Sequence, residues 1–122
     1  MSTRACYSFK GDGETFHVYK HCDGYPAGAA DALEKALTNA WPLPRFEADE
    51  FAAAFVAANK TPGGGYVRLL PTGAIEEVST GDAAFWYLVE REGNDLIVTV
   101  RQAFGRVLWR GPLSNMSKWA KR

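Results

Sequence analysis

Apolar and polar positions alternate along the first twenty residues and then change period. Thr3–Phe9 and Glu14–His21 are β-rich runs around Lys10-Gly11-Asp12-Gly13, whose glycines and aspartate accept positive φ, so the pattern predicts a tight hairpin. With Gly11-Asp12 as its loop, Phe9 faces Glu14, Tyr7 faces Phe16 and Ala5 faces Val18 on one apolar side. The other side carries Arg4, Cys6, Ser8, Thr15, His17, Tyr19 and His21, with Cys6 across from His17 and Arg4 across from Tyr19. This polar side is expected to meet solvent or a partner.

After Asp23-Gly24-Tyr25-Pro26 the spacing becomes helical. Ala30, Leu33, Leu37 and Ala40 or Trp41 recur at helical intervals, which predicts a helix from Ala27 to about Ala40, stopped by Pro42 and Pro44. A second helix is predicted from Ala48 to Asn59, with Phe51, Phe55 and Ala58 on one stripe and acids in its first turn. Tyr66–Leu70 and Ile75–Val78 read as short strands. Ala84–Arg91, Leu96–Phe104 and Val107–Arg110 form a meander turning at Gly93-Asn94 and Gly105-Arg106. Pro112–Lys121 reads as a terminal helix. The expected fold is a single α+β domain over residues 1–122. Its mostly antiparallel sheet of five or six strands has helices on one face, a two-layer sandwich.

The meander turns assign a core face to Phe85, Tyr87, Val89, Val98, Val100, Phe104, Val107 and Trp109. On the opposite face Trp86 falls across from Arg101, and Arg101 across from Arg110. Two facing arginines repel by up to about 1 kcal/mol, so compensation is expected. The Trp86 ring, an acid such as Glu90, or an acidic or phosphate-bearing partner would supply it.

Composition narrows the class. Apolar residues make up 47% of the chain, which excludes a disordered domain. The longest apolar run, Phe51 to Ala58, is too short to span a membrane. Met1–Phe9 lacks the apolar stretch of an export signal, so a cytoplasmic setting is expected. The formal net charge is zero, but residues 1–100 carry −6 and residues 101–122 carry +6. The basic end is expected to pair with acids such as Glu76, Glu77, Glu90 and Glu92. A neutral domain argues against direct DNA binding. The two cysteines, Cys6 and Cys22, are too few for a disulfide framework, and with His17 and His21 they lack metal-ligand spacing. No cofactor is expected.

The remaining candidate chemistry is sparse. Cys6 across from His17 invites a thiol–imidazole dyad, but no third group orients the base and an open strand face does not exclude water. Gly63-Gly64-Gly65 lacks the Lys-Ser/Thr of a phosphate loop and reads as a hinge. Glu76-Glu77 and Asp82 have no evident pocket. Tyr19, Tyr25 and Trp86 read as exposed rings able to stack or to anchor an interface, whereas Trp41 is expected in the core.

Met1-Ser2-Thr3-Arg4-Ala5 and Val18-Tyr19-Lys20-His21-Cys22-Asp23-Gly24-Tyr25-Pro26-Ala27-Gly28 resemble a signature of small accessory proteins of phages, prophages and mobile elements. Cys22 stands where those proteins often carry tryptophan. The resemblance covers about the first 28 residues and implies a setting in which small proteins block host components, CRISPR-Cas and nucleotide-signalled defences among them. The expectation is therefore a non-enzymatic binding protein that inhibits a bacterial defence system or other host factor by steric occlusion. Arg101, Arg110 and Trp86 form its first candidate anchor, and Arg4, Tyr19, His21 and Tyr25 the second. The alternatives are a sponge for a nucleotide signal, with a pocket at a subunit interface of a dimer, and a small enzyme using Cys6 and His17.

Overall fold

In a computed structural model the described residues are 3–61, 66–75, 83–102 and 105–121. The predicted strands at 76–78 and 103–104, the Gly63-Gly64-Gly65 hinge, and the acids Glu76, Glu77 and Asp82 lie outside them.

The chain forms β1 (Ala5–Lys10), β2 (Thr15–Lys20), α1 (Pro26–Asn39), α2 (Ala48–Asn59), β3 (Val67–Leu70), a 3-10 turn (Thr72–Ala74), β4 (Phe85–Glu92), β5 (Asp95–Gln102), β6 (Val107–Pro112) and α3 (Leu113–Ala120). The fold is α+β. One six-stranded sheet has the order β3-β2-β1-β4-β5-β6, and every pairing is antiparallel except β1 with β4. Ile75 is helical, so the strand predicted to begin there does not.

Period-two alternation buries Ala5, Tyr7, Phe9, Val18, Tyr87, Val89, Val98 and Val100 beneath the helices. Tyr7 lies 4.5 Å from the Phe55 ring and 5.1 Å from Tyr87, and Phe9 lies 5.4 Å from both Phe51 and Phe55. Such ring pairs contribute about 0.5–1.5 kcal/mol each beyond area burial. Alanines on α1 let the helices approach closely, and two asparagines tie them together. Asn39 Nδ2 donates to the Ala54 carbonyl at 3.3 Å, and Asn59 Nδ2 donates to the Ala32 carbonyl at 3.2 Å. On the same face, toward β6, α3 packs beside α1 and brings Trp119 onto Trp109, stacked at 5.3 Å.

The segment Asp23–Gly28 is a packing joint. Asp23 has φ 58°, a conformation aspartate tolerates better than most residues. Gly24 donates its N–H to the Thr3 carbonyl at 2.8 Å, and a Cβ there would come within 2.6 Å of Ala5. A Cβ on Gly28 would collide with the Asp23 carbonyl. Pro26 opens α1, where its missing N–H costs nothing. The Tyr87 hydroxyl donates to the Gly24 carbonyl at 2.5 Å, locking the joint to the central strand β4.

Two registers differ from expectation. The first hairpin pairs Cys6 with Tyr19, Tyr7 with Val18, and Ser8 with His17. Its loop is two residues longer than Gly11-Asp12, with Gly11 N–H bonded to the Glu14 carbonyl at 2.9 Å. The slip is even, so each residue keeps its face while every partner changes. At the other end β6 pairs Arg110 with Thr99, and a β-bulge between Val100 and Arg101 places Val107 across from Arg101. The two arginines therefore do not face each other. Val107, expected in the core, is 51% exposed.

Candidate functional site

The sheet face opposite the helices carries one row of side chains across five strands. Register places Arg68, Tyr19, Cys6, Trp86 and Arg101 in line on β3, β2, β1, β4 and β5. At one end the Arg68 guanidinium lies 5.4 Å from the Tyr19 ring centroid, and at the other Arg101 lies 5.7 Å from Trp86. Strand spacing sets the two arginine Cα atoms about 19 Å apart. The Trp86–Arg101 pairing matches the sequence expectation.

The middle of the row is closed by the chain itself. Ile75 and Ala83 pack with Cys6, Tyr19, Leu70 and Trp86 in a second apolar cluster, which leaves Cys6 with no exposed surface. This corrects two expectations: the polar side of the hairpin is covered rather than open, and Tyr19 is buried. Cys6 does not meet His17, so the proposed thiol–imidazole dyad is not assembled. Trp41, expected in the core, is 39% exposed, with Arg45 stacked 3.7 Å from its ring centroid.

Below that row, His17 Nδ1 lies 2.7 Å from the Ser8 hydroxyl, and Trp86 Nε1 donates to the same oxygen at 2.7 Å. An indole N–H only donates, so Ser8 Oγ accepts it, and the same hydroxyl makes a second hydrogen bond with His17 Nδ1. Burial lowers the His17 pKa, in agreement with a neutral ring. Ser8 is buried at 1% exposure, so its hydroxyl bridges two rings rather than meeting a substrate.

The open end of the face holds the site. Arg4, Tyr19, His21, Tyr66 and Arg68 line a concavity of about 370 Å³. Local structure builds it from three strand ends. His21 donates its backbone N–H to the Tyr66 carbonyl at 3.1 Å, which continues the β2–β3 ladder one pair beyond β3. Tyr66 has φ 51°, a left-handed backbone uncommon for a bulky residue, and its ring lies 5.4 Å from that of His21. The Tyr19 hydroxyl and His21 Nδ1 are 3.0 Å apart. Among the described residues, the lining holds two guanidiniums and three rings, and no acid. Such a surface suits an anion with a flat or acidic neighbour: guanidinium forks bind phosphate or carboxylate, and the rings stack.

Three residues of the second anchor, Arg4, Tyr19 and His21, are thus brought together. Tyr25 is not among them. It precedes α1, packs over Gly28 and is 46% exposed elsewhere. Of the first anchor, Arg101 and Trp86 touch, while Arg110 is held in an ion pair by Glu92. Lys121 pairs with Asp31 at 3.3 Å, so the basic end is partly neutralised within the fold as expected. Sequence reasoning missed Arg68 and Tyr66, because no local pattern says that β3 returns across both helices to β2.

A larger and chemically different groove, about 820 Å³, lies on the helix side of β3. Phe16, Ala53, Val56, Ala57 and Leu69 form most of its apolar wall, and His17 and Asp49 reach its edge. Among the described residues no helix is long and apolar enough to cross a membrane, and no three metal-ligating side chains gather. Comparison with family models, curated proteins and solved structures finds no match to this chain.

Proposed function

We propose that the chain is a non-enzymatic binding protein that occludes an acidic or phosphate-bearing surface of a bacterial host component. One observation carries this reading: Arg4 and Arg68 converge with Tyr19, His21 and Tyr66 on one concave end of the sheet. Arginine and aromatic side chains dominate interface energetics because they combine contact area with directed hydrogen bonds. The phage-like segment of residues 1–28 supports a setting in which the component belongs to a defence system such as CRISPR-Cas. Burial of Cys6 and Ser8 argues against a nucleophilic role for either.

A second reading, a sponge for a nucleotide signal, draws support from the size of the concavity. About 370 Å³ lies within the usual range for small-ligand pockets, and guanidiniums beside rings suit a phosphate attached to a base.

One pair of measurements tests both readings. Immobilised protein should retain a host component from a bacterial lysate, and Arg68→Glu should weaken retention at least tenfold with circular dichroism and the urea midpoint unchanged. A nucleotide bound by the concavity alone should instead stabilise the purified protein by about 2.7 kcal/mol at one hundred times its Kd. Unchanged retention by Arg68→Glu, together with no stabilisation by cyclic or dinucleotides, would refute the assignment of this site.

A further inference from the structure

The apolar groove and the cationic concavity share no lining residue. The groove forms where β3 leaves the sheet. Leu70 pairs with His17 as the last rung, and Pro71 then leads the chain into the 3-10 turn at Thr72–Ala74. Beyond that rung Thr15 and Phe16 have no β3 residue across from them. The flanking helix α2 offers only small side chains there, among them Ala53, Val56 and Ala57. The result is about 820 Å³ of space against a wall in which Leu69 is 77% and Phe16 39% exposed. Small-ligand sites commonly hold about 300–1,000 Å³ and are mostly apolar with a few polar groups.

A second observation points to an occupant. His17 lines the groove and is 8% exposed, so the fold fixes its ring. Its Nδ1 is bonded to Ser8, whereas Nε2 has no hydrogen-bond partner among the described residues. Nor is Nε2 shut in: among those residues the Tyr7 hydroxyl is the only fully buried side-chain polar atom without a partner. A ring held by one nitrogen, with the other unsatisfied at the edge of an apolar groove, is a preorganised contact for one polar group.

We infer that the groove binds an uncharged, largely apolar small molecule carrying a hydroxyl, which His17 Nε2 hydrogen-bonds. The lining selects this class. Asp49 is the one charged side chain among its described residues, so no cation receives a carboxylate or phosphate. Asp49 is itself exposed, and water screens its pull on an ammonium group. A neutral imidazole presents either a bare nitrogen or an N–H at Nε2, and a hydroxyl meets either one because it both donates and accepts. The inference goes beyond the proposed binding role and uses none of the residues that carry it.

The probe is 1-naphthol, titrated into the full chain while methyl and imidazole resonances are followed by NMR. The methyls of Ala53, Val56 and Leu69 should shift along one saturable curve, and the His17 Nε2 nitrogen should shift with them. Naphthalene should move the methyls and leave that nitrogen in place. 1-Naphthoate, with a carboxylate in place of the hydroxyl, should bind about tenfold more weakly than 1-naphthol or worse. Ala53 is exposed on α2, so Ala53→Trp fills the groove from outside the core. It should weaken 1-naphthol about tenfold or more with the urea midpoint unchanged. The ligand series needs no variant, so the test holds even if Ala53→Trp unfolds.

No saturable methyl shift, a His17 nitrogen moved equally by naphthalene, or 1-naphthoate bound as tightly as 1-naphthol would overturn the inference. So would unaltered binding by folded Ala53→Trp. So would a concentration-dependent dimer abolished by Ala53→Trp, which would assign the groove to a second copy. Arg68 lies outside the groove, so Arg68→Glu should leave 1-naphthol binding unchanged. Failure of this inference and failure of the proposed binding role are therefore read from separate measurements.

Discussion

Replacing Ser8 with alanine tests the buried polar chain beneath the sheet. The substitution deletes the hydroxyl that accepts from Trp86 Nε1 and is hydrogen-bonded to His17 Nδ1, both at 2.7 Å. A net hydrogen bond contributes about 1 kcal/mol, and a buried group left without a partner costs about 1–3 kcal/mol. Trp86 is only partly buried, so water can reach part of the vacated donor, whereas His17 is 8% exposed and has little such recourse. The expected loss is therefore about 2–3 kcal/mol rather than the full sum. For a domain of this size that corresponds to a fall in Tm of about 8–12 °C.

Urea unfolding of the wild type and Ser8→Ala at pH 7.5 gives the free-energy difference directly, provided the slope is unchanged. Trp86→Phe removes only the indole donor and should cost less, about 1 kcal/mol from the hydrogen bond. Because the two residues share one oxygen, the double variant should be less unstable than the sum of the singles, with a coupling above about 0.5 kcal/mol. A Ser8→Ala protein within about 0.5 kcal/mol of the wild type, or additive singles, would refute the relay.

Other outcomes follow from burial. The folded pKa of His17 is depressed, so the unfolded chain binds more protons through the interval below its ordinary value of 6.5. Stability should be full above pH 6.5, decline as pH falls toward the folded pKa, and then level for this group. The urea midpoint compared between the wild type and His17→Gln isolates this contribution, and a flat difference would contradict it. Tyr7 and Tyr87 should respond in opposite directions to loss of the hydroxyl. The Tyr7 hydroxyl is buried with no hydrogen-bond partner among the described residues, so Tyr7→Phe should stabilise by about 1 kcal/mol. Tyr87 donates to Gly24, so Tyr87→Phe should destabilise by about 1–2 kcal/mol. Thermal denaturation of the two variants decides this, and a shift of the same sign in both would contradict it.

The sequence alone determined which residues of β1, β4 and α2 look toward the helix-side core. Alternation and helical spacing are local, and they placed α2 at Ala48–Asn59 and the Gly93-Asn94 turn where they lie. Face assignments in the first hairpin survived a two-residue slip because strands have period two; the partners did not survive it. Thus Arg4, Tyr19 and His21 were legible as one surface, while the Cys6–His17 pair was an artefact of loop length. At β6 a shifted register parted Arg101 from Arg110, and a single-residue bulge turned Val107 out of the core.

Only the tertiary structure decided what is non-local. β1 lies parallel to β4, β3 returns to β2 across two helices, and Ile75 and Ala83 cover the thiol. These pairings join segments far apart in sequence. Their free energy comes from the packed face as a whole, and no local pattern records which edge a four-residue strand will join. Arg68 and Tyr66 became part of a site for that reason.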